Sequence, residues 1–106
     1  MKIIKNLIEH IDEEMHDAEK YIVCSLKHKH DGTDLDSLFI KLASAEIEHA
    51  TMLHEAVVKE IDKARSEMHS KGTHIPEYMA EMWNEEHEDY IERMAILKHR
   101  LELARK

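Results

Sequence analysis

Residues 43–55 read "ASAEIEHATMLHE", and the reading of this stretch decides the fold. The series Phe39, Leu42, Glu46, His49, Leu53, Ala56 alternates spacings of three and four, which puts all six side chains on one face of a helix. Such a face is normally apolar, because an ion stripped of water must be paired, protonated or bound to a counter-ion. Here a carboxylate and an imidazole stand one turn apart in the middle of it.

Working outward, the only glycines are Gly32 and Gly72 and the only proline is Pro76, so long intervals carry no strong helix breaker. The chain is predicted to be all-α, with three long helices over residues 2–30, 34–70 and 76–104. Asp34 or Thr33 is expected to cap the second helix, and Pro76 suits the first turn of the third, where its missing N–H has no partner to lose. At 1.5 Å per residue the second helix reaches about 54 Å, long enough to project beyond the others. No internal repeat, low-complexity tract or strand-like alternation interrupts this pattern. Residues 1–106 are therefore expected to form a single helical domain.

The first helix carries a matching seam. Ile4, Leu7, Ile11, Glu14, Ala18 and Tyr21 follow the same rhythm, and Glu14 interrupts it as Glu46 and His49 interrupt the second. Helices joined by the short "HDGT" connection run antiparallel, which puts Glu14 level with Glu46 and His49. No Lys or Arg shares these seam positions, and two carboxylates at one depth repel unless a cation lies between them. Carboxylates with neutral imidazole and no thiolate suit a hard to borderline divalent metal, so iron, manganese and zinc are the candidates. A second Glu-x-x-His, Glu13 and His16, fails the same test: His16 lies about 200° around the helix from Glu14 and belongs to a solvated face.

Charge and composition favour the same guest. A net charge of −8 disfavours nucleic acid and anionic lipid as partners and concentrates cations. Cys24 is the only cysteine, which leaves no intrachain disulfide framework and no thiolate cluster. The amino terminus, "MKIIKNLIEHIDEE", is cut by Lys, Asn and Glu before a signal-peptide core could form, and no apolar stretch is long enough to span a membrane. A cytoplasmic location is expected. Among the remaining histidines, His10 and His54 are expected to be solvated, and "KHKHD" at 27–31 is a place for adventitious metal.

Together these motifs resemble the ferritin-like superfamily, especially its rubrerythrin-like members. "ASAEIEHA" is similar to the family's second-helix Glu-x-x-His in an Ala-rich helix, and "EEMHDAEKY" to its first-helix pattern, a liganding Glu seven positions before a Tyr. The two cover about the first 60 residues. The resemblance implies a ferritin-like antiparallel bundle with a carboxylate-bridged di-iron site, Glu14 bridging or terminal, Glu46 bridging and His49 terminal, with Tyr21 beside it. It further implies binding and oxidation of Fe(II), a ferroxidase or oxidoreductase activity.

The chain also departs from that family. A full ferritin-like bundle supplies a Glu from each of two helices and a Glu-x-x-His from each of two others; this chain carries half of that set. The third helix, "PEYMAEMWNEEHEDYIERMAILKHRLELA", has Asn84 three positions before His87. His87 lies on the apolar stripe of Trp83, Tyr90, Met94, Leu97 and Leu101 and is a fourth candidate ligand, with Glu88 on the flank. Two architectures could complete the site. In one, a homodimer or higher homo-oligomer pairs helices 1 and 2 about a two-fold axis, as in encapsulated ferritins. In the other, His87 or Glu88 closes a smaller site within one chain. The dimer is expected, since doubling gives the full ligand set. The alternative in another class is a non-catalytic dimerisation module whose polar seam only fixes register.

Overall fold

The computed structural model describes residues 2–106, and the helices fall where the breakers demand: α1 (Lys2–Lys27), α2 (Leu35–Ser70) and α3 (Glu77–Arg105). Among the described residues there is no strand. Helix α1 ends at Lys27, earlier than residue 30, because His30 adopts a left-handed φ of 70° and Gly32 one of 80°. The turn is held by Asp31, whose carboxylate accepts hydrogen bonds from the Thr33 backbone N–H at 3.0 Å and the Thr33 hydroxyl at 2.6 Å. The Thr33 hydroxyl in turn accepts from the Leu35 N–H at 3.3 Å, so Thr33 does the capping while Asp34, at the cap position, makes no side-chain cap. Pro76 is the cap residue of α3 and not its first helical residue; its carbonyl accepts from the N–H groups of Met79 and Ala80.

Helix α2 runs antiparallel to α1, and α3 returns parallel to α1. The second relation is read from a constant offset: Arg93 reaches Asp12 at 2.7 Å and Arg100 reaches Glu19 at 3.1 Å, each pair 81 residues apart. At the far end the Lys29 ammonium donates to the Ala104 carbonyl at 2.9 Å, placing a cation on the negative end of α3. The molecule is a rod about 64 Å long, and the carboxy-terminal part of α2 passes the start of α1.

One core runs along this rod. Ile4, Ile11, Met15 and Ile22 from α1 meet Ile47 and Val57 from α2 and Trp83, Met94, Leu97 and Leu101 from α3. Burying each large apolar side chain of this kind contributes about 1.5–3 kcal/mol. Ala18 of α1 and Ala43 and Ala50 of α2 belong to the same core and are each 0% exposed. With so little side chain between them the two backbones come close, and residues flanking the contact are carried toward each other.

The core corrects the expected seam on α2. The buried set is Ala43, Ile47, Ala50 and Val57, one residue on from the predicted series and so rotated about 100° around the helix. On α1 the buried set gains Met15 and Ile22, while Leu7, Glu14 and Tyr21 stay half-buried. The reason is α3, which packs on one side of the α1/α2 pair and draws the core toward itself. Asp12 and Glu19, which contact α3, project about 140–160° around α1 from Glu14, so the Glu14 flank faces the side α3 leaves bare.

Candidate metal centre

On that bare flank the three groups predicted from spacing meet. Glu14 of α1 and Glu46 and His49 of α2 each offer one ligand atom within 4.8 Å of the others, the only such group of three or more among the described residues. His49 Nδ1 lies 3.4 Å from Glu14 Oε2 and 3.9 Å from Glu46 Oε1. The antiparallel register explains the level, and the Ala18, Ala43, Ala50 contact explains the reach.

Burial is graded across the cluster. The side chain of Glu46 is 18% exposed, that of Glu14 27% and that of His49 53%. The expectation that all three face the core is therefore corrected to a rim position: the carboxylates are half-sheltered, and the imidazole is the most exposed of the three. Glu14 Oε2 is nonetheless screened from water and accepts no hydrogen bond. At 3.4 Å the His49 ring is near enough for charge attraction but is not aligned to donate. A carboxylate oxygen with neither water nor a donor is an acceptor awaiting a partner.

The donor set fits a divalent cation. Two carboxylates and an imidazole suit iron, manganese or zinc, whose bonds to such atoms run about 2.0–2.2 Å for zinc. Above and below the cluster the flank is apolar. Leu7 and Tyr21 on α1 and Phe39, Leu42 and Leu53 on α2 are half-buried, and Ile3 and Leu35 at its ends are exposed. Tyr21 packs on Phe39 with ring centroids 6.1 Å apart, and Phe39 in turn lies against His28 at 5.8 Å. Tyr21 thus sits two turns from Glu14 on the same flank, as the spacing indicates.

His87 is not part of this cluster. It is exposed on α3, and its Nδ1 lies 3.0 Å from Nε2 of His54, on the opposite side of the α1/α2 pair from Glu14. His54, expected to be solvated, is half-buried: Tyr90 stacks on its ring at 3.9 Å with planes 2° apart. Burial pushes its pKa below the ordinary 6.5, with the charge on His87 acting in the same direction. Glu88 is exposed. The pairing of His54 with His87 was hidden in the sequence because the offset of α3 along α2 depends on how residues 71–76 turn the chain. Its available signal was that both histidines border apolar stripes on adjacent helices.

Comparison with protein-family models, with curated proteins and with solved structures returns no match.

Proposed function

We propose that this chain is a metal-binding, ferritin-like half-bundle whose Glu14, Glu46 and His49 hold iron, and that two copies join their bare flanks to make a di-iron carboxylate centre that binds and oxidises Fe(II). The observation that carries the reading is the sheltered Oε2 of Glu14, which accepts no hydrogen bond, within 4.8 Å of Glu46 and His49. A second copy supplies what the flank lacks. It would cover Leu7, Tyr21, Phe39, Leu42 and Leu53 with their own equivalents, and its Glu14, Glu46 and His49 would double the ligand set about a two-fold axis. In such a centre Fe(II) is the substrate, and each ion gives up one electron to dioxygen or peroxide. The protein's part is to hold the ions close together, to shift carboxylates between bridging and terminal positions, and to shield them from bulk water. Manganese and zinc are alternative occupants with the same donor chemistry.

A second reading is favoured by the 53% exposure of His49 and by its distance from both carboxylates, which would let a protonated ring balance them without any ion. On that reading the flank is a dimerisation surface and the polar groups only set its register.

Anaerobic Fe(II) loading followed by exposure to air separates the two. Uptake near one ion per chain, an oxo-bridge absorption band after oxidation, and loss of both in Glu46→Ala support the metal centre. No uptake beyond that of Glu46→Ala leaves the register reading. Sedimentation of the wild type and of Leu53→Asp tests the flank: a dimer that the substitution dissociates is expected, and a wild-type monomer would sink the shared centre.

A further inference from the structure

The His54–His87 pair lies apart from the cluster just described and is built differently. One ring belongs to α2 and the other to α3, and the facing nitrogens, Nε2 and Nδ1, are 3.0 Å apart. At that distance one of the two facing nitrogens carries the proton and the other accepts it. Tyr90 lies flat on the His54 ring, which fixes its plane and leaves the Nε2 edge to face His87. The His87 ring leans 23° from it with centroids 5.0 Å apart and is exposed, hence free to swing.

We propose that His54 and His87 form a second metal site, selective for a borderline divalent ion such as Cu(II), Ni(II) or Zn(II), which replaces the shared proton and clamps α3 to α2. With nitrogen–metal bonds of about 2.0–2.1 Å, ligands 3.0 Å apart subtend about 94° at the ion. That matches the right angle between neighbouring positions of square-planar or octahedral Cu(II) and Ni(II); tetrahedral Zn(II) needs the nitrogens about 0.3–0.4 Å further apart. Swinging the exposed His87 ring turns both lone pairs onto one ion. Imidazole without thiolate suits these metals better than magnesium or calcium, which prefer oxygen.

The surroundings favour a cation. The pair borders a cavity of about 650 Å³ between the three helices, lined by Glu9, Asp12, Glu13, Asp62, Glu86 and Asp89 against the guanidinium groups of Arg65 and Arg93. An excess of carboxylates raises the local concentration of divalent ions, and water can fill the remaining coordination positions. The position also matters mechanically. Between Trp83 and Met94 no residue of α3 is fully buried, the longest such interval in the helix. An ion shared between His54 and His87 would tie it down there, beside the cavity mouth.

The chain's single tryptophan, Trp83, lines the same cavity and reports the event. Cu(II) is titrated into the full chain while Trp83 emission is followed, in the Glu14→Gln/Glu46→Ala background to remove the other cluster and, in parallel, in the wild type. The expected result is quenching that saturates at one ion per chain and requires more than tenfold higher Cu(II) in His87→Ala. His87 is exposed, so that variant keeps its fold, and unchanged helicity by circular dichroism checks this. His54→Ala is expected to do the same. Ni(II) should raise the melting temperature of the parent and not of His87→Ala. Equal quenching curves for parent and His87→Ala, or quenching that follows only the histidines of 27–31 when these are replaced, would overturn the proposal. Because the background lacks Glu46, failure here leaves the iron centre untouched, and failure of the iron centre leaves this test intact.

Discussion

Replacing Glu14 with Gln separates a metal ligand from a structural polar group, because the two roles predict opposite signs. The substitution keeps the shape of the side chain and removes its charge. Without metal, Glu14 and Glu46 present ligand oxygens within 4.8 Å of each other. At that separation two unit charges repel by about 1 kcal/mol in a water-like dielectric, and more where solvent is partly excluded. Glu14→Gln relieves this repulsion, and the amide offers the same half-sheltered pocket a donor as well as an acceptor. For a domain of 106 residues an unfolding entropy of about 2.1 cal/mol/K per residue makes 1 kcal/mol worth about 4–5 °C in melting temperature. The metal-free variant is therefore expected to melt at or a few degrees above the wild type. With metal the order inverts. Free ion at a hundred times its dissociation constant stabilises the wild type by about 2.7 kcal/mol, or about 12 °C on the same scale, and the variant should lose most of that gain. The assay is a pair of calorimetric scans of each protein, with chelator and with Mn(II), which has the donor preferences of Fe(II) without its air oxidation. Two outcomes refute the reasoning. One is a wild type whose melting ignores the metal. The other is a metal-free variant destabilised by more than 1 kcal/mol, which would mean that the charge of Glu14 is already satisfied, by His49, in the folded protein.

The remaining expectations follow from the packing. Ala50→Leu overfills the fully buried α1/α2 contact, should cost about 1–3 kcal/mol, and should weaken Mn(II) binding more than it weakens folding, because it wedges Glu14 away from Glu46 and His49; unaltered Mn(II) affinity would remove the alanine contact from the account. Trp83→Ala should destabilise by about 3–5 kcal/mol, whereas Arg93→Ala, which breaks only the solvated pairs with Asp12 and Asp89, should change stability by about 1 kcal/mol or less in urea melts. Asp31 in the α1–α2 turn is held at a pKa of about 2, below the ordinary 3.8, first by the Thr33 hydroxyl and then by His28. Its folded pKa is depressed, so its contribution is complete above pH 3.8 and is lost as pH falls toward 2. The stability difference between wild type and Asp31→Asn should shrink across that window and stay constant above it.

Which parts of this molecule were legible in the sequence depends on the range of the interaction concerned. The three helices follow from Gly32, Gly72 and Pro76 and from three-and-four periodicity, all local signals. The meeting of Glu14 with Glu46 and His49 was legible too, since a short turn forces neighbouring helices antiparallel and the count from the turn sets the level. The rotation of α2 was not. Glu46 and Ile47 stand one residue apart on the same helix, and periodicity alone leaves either at the centre of the seam. His87 was placed with the cluster for a related reason: it lies exposed on α3 and meets α2 at His54 and not at His49.

Local pattern in the chain is enough to make it all-helical, with a charged interruption halfway along two antiparallel helices. That the interruption lies on the rim of the core, and that His87 meets His54, depends on how the three helices pack. Helix formation and hairpin register are set by residues near one another in the chain, so local pattern carries them. Which face of α1 and α2 goes inside is settled by α3, a third body whose docking buries Trp83, Met94, Leu97 and Leu101 and leaves the opposite flank, with Glu14, Glu46 and His49, without a cover of its own.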